Sequence, residues 1–446
     1  MIENEINLIE LVENRDWRNL KISLSEYDSN DIAQLFEELS ENDKIILFRL
    51  LESSQAKEVF QLLPYSKQEE IIEGLAQNSH KISSLLNDLD PDDRTAFFGE
   101  LPGKVTQRLI QQLSPEERSI TNKLLGYPKE SIGRLMTPEY VAIKTHFTVK
   151  QALNHIRKFG RDSETLNIIY IVDNDWKLID DIKIRELLLA EPEQSIEEFM
   201  DHRFVSLNAM DDQELAIKVF KDYDRVALPV INEEGELLGI VTFDDILDVA
   251  ETESTEDFHK FGSVRTAVIN PLKARVFNLY ANRIVWLVAL VFMNIFSGAI
   301  LSSFEDVIAK VVPLVFFLPL LIDSGGNAGS QSATLMIRFL AMGEVKVTDW
   351  YKLVGKEFIV SFLLGITMAV SVSAITSFRA PEIIAVVAIT MVLTVMIGSI
   401  IGMLLPFLFT RLNLDPAAAS APLITSISDI CGVLIYFSIA SWYFGF

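Results

Sequence analysis

Two kinds of hydrophobic spacing divide this chain. Up to about residue 282, apolar positions recur at helical or strand period; beyond it they fuse into five long runs, at about 284–304, 307–341, 353–377, 383–409 and 417–444. Each run is long enough to cross roughly 30 Å of hydrocarbon as a helix of about 20 residues. Between residues 31 and 127 a helical theme repeats: "EELS", "QLLP", "NDLD" and "QQLS" place Leu39, Leu63, Leu89 and Leu113 24, 26 and 24 residues apart. Three of these are followed by a helix start, with Ser40, Asp90 and Ser114 as caps, Pro91 and Pro115 in the first turn, and Asp43, Asp93 and Glu117 three residues past the cap. So short a unit cannot bury its own apolar face, and the helices are expected to stack into a right-angled or superhelical array.

From about Met136 the period changes. "TVKQALNHIRKF" reads as an amphipathic helix and "LNIIYIVD" as a buried strand, and the order recurs as "DDQELAIKVFKDY", "RVALPVIN" and "ELLGIVTFDDILDV". The result is a tandem α/β module. Its second copy resembles a CBS (cystathionine β-synthase) domain through "MDDQELAIKVF" and "ALPVINEEGELLGIVTFDDIL". CBS pairs commonly bind adenine nucleotides such as ATP through a Ser/Thr and an Asp after the last strand, which the resemblance places at Thr242 and Asp245. The first copy, "WKLIDDIKIREL", lacks the glycine and the hydroxyl at that point.

Charge sharpens the division. Eight Lys/Arg and nine Asp/Glu lie from Arg283 onward, leaving 31 and 53 for the first part, which therefore carries nearly all of the formal net charge of −23. An acidic surface of that size repels nucleic acid and attracts cations. The single cysteine, Cys431, permits no disulfide or Cys-based metal site within one chain. The N-terminus lacks the basic, apolar and small-residue order of a signal peptide, so the front is expected in the cytosol. Five spans then leave the C-terminus outside. Lys273, Arg275, Arg283, Arg338, Lys346, Lys352, Lys356 and Arg411 fall inside and only Lys310 and Arg379 outside, as the positive-inside rule asks.

The polar groups inside the apolar runs carry the candidate chemistry. "LPLLIDSGGNAGSQ" puts Gly325, Gly326 and Gly329 where helices can approach closely or leave helical geometry, with Asp323, Asn327 and Gln331 among them. The run is too long for one straight span and is expected to break at Pro313, at Pro319 and at this segment. Asp323, at the expected break, reads equally as a cap or an ion contact. In the last run, Asp429 lies near mid-depth. An ionised carboxylate there costs at least about 2.5 kcal/mol, so it faces water, binds a cation or is hydrogen-bonded within the bundle. No Lys, Arg or His stands near it, and oxygen donors at Asp429, Asn327, Thr425 and Ser428 suit a hard ion such as Mg²⁺. In the acidic linker, Glu253, Glu256 and Asp257 share a helix face that repels itself unless a cation sits among them.

These segments together, with "FFLPLLIDSGGNAGSQSATLMIRFLAMGEV", "LPFLFTRLNLDPAAASAPLITSISDICGVLIYFSIA" and "FDDILDVAETESTEDFHK", resemble the MgtE family of Mg²⁺ channels and transporters over the whole chain. The resemblance implies a multidomain protein: an α-helical superhelical N domain (1–133), two CBS copies (134–199 and 200–253), a connecting plug helix (254–280) and an all-α transmembrane domain of five helices (281–446). It implies a homodimer in the cell membrane and Mg²⁺ as both cargo and regulator, with no enzymatic activity and no nucleic-acid partner. Asp429, Asn327 and Thr425 would serve the pore. Asp88, Asp92, Asp212, Glu214, Asp224, Asp245, Asp248, Glu253, Glu256 and Asp257 would hold regulatory Mg²⁺ that closes it. The alternatives are an H⁺- or Na⁺-coupled divalent cation transporter, and a membrane scaffold whose CBS pair reads a nucleotide.

Overall fold

The leucines of the repeat mark helix junctions. In the computed structural model, which describes residues 2–75, 79–264 and 276–445, the first unit (Met1–Val249) opens with α1 (Ile2–Glu13), α2 (Trp17–Leu24), α3 (Ser29–Glu38), α4 (Glu41–Leu50), α5 (Ser53–Leu62), α6 (Tyr65–Gly74), α7 (Ser79–Asp88), α8 (Pro91–Glu100), α9 (Gly103–Ile110) and α10 (Pro115–Leu125). Leu39, Leu51, Leu63 and Leu101 each leave the helix in extended conformation. Burying that side chain turns the backbone, and a new helix starts two residues later. The 24-residue theme of the sequence is thus two helices, each about twelve residues with its link. Next-but-one helices pack side by side, α3 on α5, α5 on α7, α4 on α6 and α6 on α8. Phe36, Phe48, Phe60 and Phe97 meet edge-on along the stack, with centroids 6.3, 6.2 and 5.4 Å apart.

Ser40 and Ser114 cap as expected, accepting from the backbone N–H of Asp43 and Glu117. Asp90 makes no side-chain cap; its carboxylate instead accepts from Lys57 and Gln61, each at 2.6 Å. The neighbouring α8 is anchored by the fully buried Arg94, which donates to the carbonyls of Leu86 and Leu89 at the end of α7 and to Glu117.

The α/β part contains α11 (Ile132–Leu135) and two copies of one motif: β1 (Ala142–Lys144), α12 (Val149–Phe159), β2 (Ile168–Val172), β3 (Leu178–Lys183) and α13 (Ile184–Leu189), then β4 (Leu207–Asn208), α14 (Gln213–Tyr223), β5 (Ala227–Ile231), β6 (Leu237–Thr242) and α15 (Phe243–Phe261). Each copy is a three-stranded sheet with a parallel first pair and an antiparallel second pair. The glycine missing from the first copy has a physical reason. A Cβ on Gly239 would lie 2.7 Å from the carbonyl oxygen of Thr137, which bridges antiparallel to Ile240 on the edge strand β6. The corresponding Asp180 of the first copy is buried and accepts the backbone N–H groups of Asp201 and His202 at 2.8 Å.

The acidic linker is not a separate helix. It continues α15, which runs unbroken to Phe261. The expected plug segment 254–280 therefore divides into the end of α15, residues 265–275 (with Arg265, Lys273 and Arg275), which lie outside the described residues, and the start of the next helix at Val276.

The second unit (Ala250–Phe446) contains α16 (Val276–Ser303), α17 (Glu305–Lys310), α18 (Pro313–Ala341), α19 (Trp350–Arg379), α20 (Ile384–Arg411) and α21 (Ala421–Phe444). Four of the long helices have the length and apolar composition to cross a membrane; α18 has the length, at 29 residues, but carries the polar segment. Of the expected breaks only the one at Pro313 occurs: α17 ends at Lys310, Val311 and Val312 link it to α18, and α18 then passes through Pro319 and "DSGGNAGSQ" as one helix. α18, α20 and α21 form the core, and Tyr436 on α21 donates to the carbonyl of Leu314 at 3.0 Å. No described residue of α16 is buried within the chain.

Candidate functional site

The glycines of α18 explain its unbroken course. A Cβ on Gly398 would lie 2.1 Å from the Gly325 carbonyl oxygen, and one on Gly402 would lie 2.0 Å from that of Gly329. Two four-residue glycine spacings, one per helix, thus bring the backbones of α18 and α20 into contact, which Ala could not permit. On the α21 side, a Cβ on Gly326 would stand 2.4 Å from Thr425 Cγ2. The alternative of close small-residue packing accounts for the glycines.

What packing does not account for is the polar residues between them. Asp323, Asn327 and Gln331 are four residues apart on one exposed face of α18. With the helix continuous, Asp323 cannot be a terminal cap. On α21, Asp429 is half-buried and its Oδ1 is enclosed without a hydrogen-bond partner among the described residues, as is the hydroxyl of the buried Ser428. Thr425 turns its hydroxyl back to the Ala421 carbonyl at 2.5 Å, leaving its oxygen only as an acceptor.

In the first unit, a second set of carboxylates meets. Asp92 and Asp93 lie in the first turn of α8, and Asp245 in the first turn of α15. Asp92 is buried with Oδ1 unpartnered among the described residues. Burial, then the charges of Asp245 and Asp93, push its carboxyl well above the usual range. Burial and the charge of Asp245 raise Asp93 to about 7. Asp245 itself is raised to about 6, chiefly by burial, against a lowering hydrogen bond from Thr242, whose Oγ1 donates to it at 2.5 Å. Beside them, one oxygen each from Asp90, Glu139 and Glu164 lies within 4.8 Å of the other two. Burial and the Asp90 charge raise Glu139 to about 7, although Lys57 pulls it down.

A third set closes around the end of α15. Lys260 bridges Glu256, one turn back, and Asp415, in the connection between α20 and α21, at 2.5 Å each. Asp415 also accepts the Ala417 N–H at 2.8 Å, capping the turn Pro416–Ala418 that leads into α21. Burial, then the charge of Asp415, raise Asp257 to about 6. The cation expected among these acids is in part the chain's own ammonium. Phe261 packs beside them on Ala333, Ala417, Ala419 and Ile424.

Of the residues expected from the sequence, the fold brings together Asp92 with Asp245, Asp245 with Asp248, and Glu253 with Glu256 and Asp257. Asp88 accepts from Ser53 at 2.9 Å and Ser84 at 3.2 Å, tying α7 to α5. Asp212 caps α14 by accepting the Glu214 N–H at 2.9 Å, and Asp224 ends the same helix in left-handed conformation. Asp90, Asp93, Glu139, Glu164, Lys260 and Asp415 were not anticipated as site residues. Asp90 and Asp93 read only as helix-start signals, and nothing in the local sequence around Glu139 or Glu164 points to the cluster.

Comparison with known proteins gives the family of the chain. Residues 318–439 match the MgtE family model, described as a divalent cation transporter; residues 27–130 match the MgtE intracellular N domain, and residues 196–251 a CBS domain. The magnesium transporter MgtE of Thermus thermophilus is 40% identical over 335 residues, 75% of this chain and 74% of that protein. The magnesium transporter MgtE of Bacillus subtilis is 34% identical over 363 residues, 81% of this chain and 80% of that one. Among solved structures, the cytosolic domain of the Mg²⁺ channel MgtE in complex with ATP covers 55% of this chain and 99% of its own, with TM-score 0.53 and 34% identity. The soluble part of a magnesium transporter covers 57% and 99%, with TM-score 0.52 and 27% identity.

Proposed function

The chain belongs to the MgtE family of divalent cation transporters, and from that premise we propose that it carries Mg²⁺ across the cell membrane along the face shared by α18 and α21, under negative feedback from Mg²⁺ in the cytosol. The observation that carries the reading is Asp429: a carboxylate inside a membrane-length helix, one oxygen enclosed and unpartnered, with no Lys, Arg or His anywhere in α21. Such a group is stable only beside a cation or water. Mg²⁺ sheds its water shell reluctantly, so few direct protein ligands are needed. Asn327 and Thr425 supply neutral oxygens for the hydrated ion. A homodimer gives the exposed polar face of α18 and the unburied α16 a partner other than lipid. Lys346 and Lys352 after α18 and Arg411 at the end of α20 support a cytosolic location for the end of the bundle bearing Asp415.

The acidic sets supply the feedback. Their donors are all oxygen and include the enclosed orphan on Asp92, which fits a hard divalent ion. Asp92, Asp93 and Asp245 would hold one such ion, which when bound supplies the charge that offsets their repulsion. Without it, the same carboxylates push α8 away from the start of α15. At the far end of α15, Asp257, Glu256 and Asp415 meet in the same manner, with Lys260 already present as a partial offset. α15 carries a residue of the second set at its start and residues of the third at its end, so both act on the same helix. Ions that bind only the closed arrangement shift the equilibrium by their difference in affinity between states, and several together make it steep. A nucleotide at Thr242 and Asp245 is a second reading, supported by the ATP complex of the structural relative; ATP protection of residues 237–249 from hydrogen exchange would test it.

The proposal predicts that Asp429→Ala abolishes Mg²⁺ uptake into proteoliposomes while leaving thermal unfolding in detergent unchanged. Uptake at the wild-type rate would remove Asp429 from the path.

A further inference from the structure

The path reading uses Asp429, but α18 places a second carboxylate at its level. Two contacts fix how α18 and α21 cross: a Cβ on Gly432 would lie 3.9 Å from the Ile322 Cα, and one on Gly326 would lie 2.4 Å from Thr425 Cγ2. Asp323 lies between Ile322 and Gly326 on one helix, and Asp429 between Thr425 and Gly432 on the other. Along their own axes, Asp323 is about 15 Å past the start of α18 and Asp429 about 12 Å past the start of α21. Both are deep in the span. Among the described residues of α18 and α21 nothing in this interval neutralises them: the basic residue of α18 is Arg338, fifteen residues on, or about 22 Å along the axis. The enclosed oxygen of Asp429 and the buried Ser428 hydroxyl, both unpartnered, belong to the same interval of α21. Close packing has no use for these groups, and the glycines on either side already satisfy it.

We propose that Asp323 and Asp429 form a carboxylate pair that binds the permeating divalent cation, with Asp323 supplying the second negative charge that favours a divalent over a monovalent ion. The inference rests on Asp429 lying in the ion path. Attraction to a fixed charge scales with the charge of the ion, so each added carboxylate stabilises Mg²⁺ twice as much as K⁺ at equal distance. With one carboxylate, a hydrated monovalent ion neutralises the site; with two, it leaves a residual charge and a divalent ion does not. Asp323 also stands one turn before Asn327 on the exposed face, so an ion moving along α18 passes from a carboxylate to an amide without leaving that face.

The test uses the full chain in proteoliposomes, with Mg²⁺ influx and K⁺ flux measured on the same preparation for wild type, Asp323→Asn, Asp323→Ser, Asp429→Asn and the double Asn variant. Glu382→Gln, in the connection before α20, serves as the control. The expected result is that either Asp323 variant raises half-saturating Mg²⁺ about tenfold and lowers the Mg²⁺-to-K⁺ flux ratio by a similar factor. The double variant should be no worse than Asp429→Asn, and Glu382→Gln should match wild type. The flux ratio does not depend on the amount of folded protein, and unfolding in detergent identifies any variant that fails to fold. If Asp429→Asn abolishes influx while both Asp323 variants keep the wild-type half-saturation and ratio, the pair is overturned and the path stands. If Asp429→Asn itself carries wild-type influx, the path fails and the pair with it.

Discussion

Replacing Asp245 with Asn removes one charge from the set at α8 and α15 while preserving its hydrogen bond, because the Asn oxygen can still accept from Thr242 Oγ1, 2.5 Å away. The fold raises Asp245 from 3.8 to about 6. Two units correspond to about 3 kcal/mol of unfavourable ionisation at neutral pH, which partial exposure of the side chain reduces to roughly 1–2 kcal/mol. In chelator at pH 8 the variant should therefore be more stable than wild type by that amount, or by about 2–4 °C per kcal/mol for a unit of this size. A carboxyl held up by the fold binds its proton more tightly when folded. Its contribution is fully present below about pH 4 and lost as pH rises through about 6, so the advantage of the variant should shrink on acidification. In Mg²⁺ the order reverses, because the variant has lost a ligand. Hydrogen exchange on the full chain locates the effect: in wild type, Mg²⁺ should slow exchange at residues 91–100 and 243–249, and in Asp245→Asn most of that protection should vanish. A variant less stable than wild type in chelator, with Mg²⁺ protection intact, would refute both the repulsion and the site.

Gly402→Ala places a Cβ 2.0 Å from the Gly329 carbonyl oxygen, forcing α18 and α20 apart by more than 1 Å; a cost of about 1–3 kcal/mol is expected, read as a lower unfolding temperature in detergent together with reduced Mg²⁺ influx. Ala at Gly298, where a Cβ meets nothing within 4 Å, should leave both unchanged. Lys260→Gln removes the bridge between Glu256 and Asp415. For a pair this exposed, up to about 1 kcal/mol is expected, seen as several-fold faster exchange over residues 255–262 and a higher Mg²⁺ concentration needed to close the path. Unchanged exchange there would show that Phe261 alone holds the end of the helix.

The helical array, the tandem α/β module and the apolar spans were legible because their signals are local. A leucine before each cap and a change of period at Met136 need no knowledge of distant residues. The start of α18 was legible from Pro313, but its later course was not: its glycines read as a break, and they stay helical because Gly398 and Gly402, some 70 residues later, receive them. The same limit hid the acidic cluster. Asp90, Glu139 and Glu164 are far apart in the chain and converge only through tertiary packing, whereas Glu253, Glu256 and Asp257 lie on one helix and could be grouped by spacing alone. Lys260 could have been paired with Glu256 by the same four-residue rule. Its second partner, Asp415, could not, because that contact is set by where α20 ends.

The most direct test of the account is the Mg²⁺ current through the reconstituted full chain as Mg²⁺ is raised on the side bearing the N-terminal domains. The account predicts a current that falls steeply, with a slope greater than one ion would give, and that is absent throughout in Asp429→Ala. A current that persists unchanged as Mg²⁺ rises on that side would contradict it.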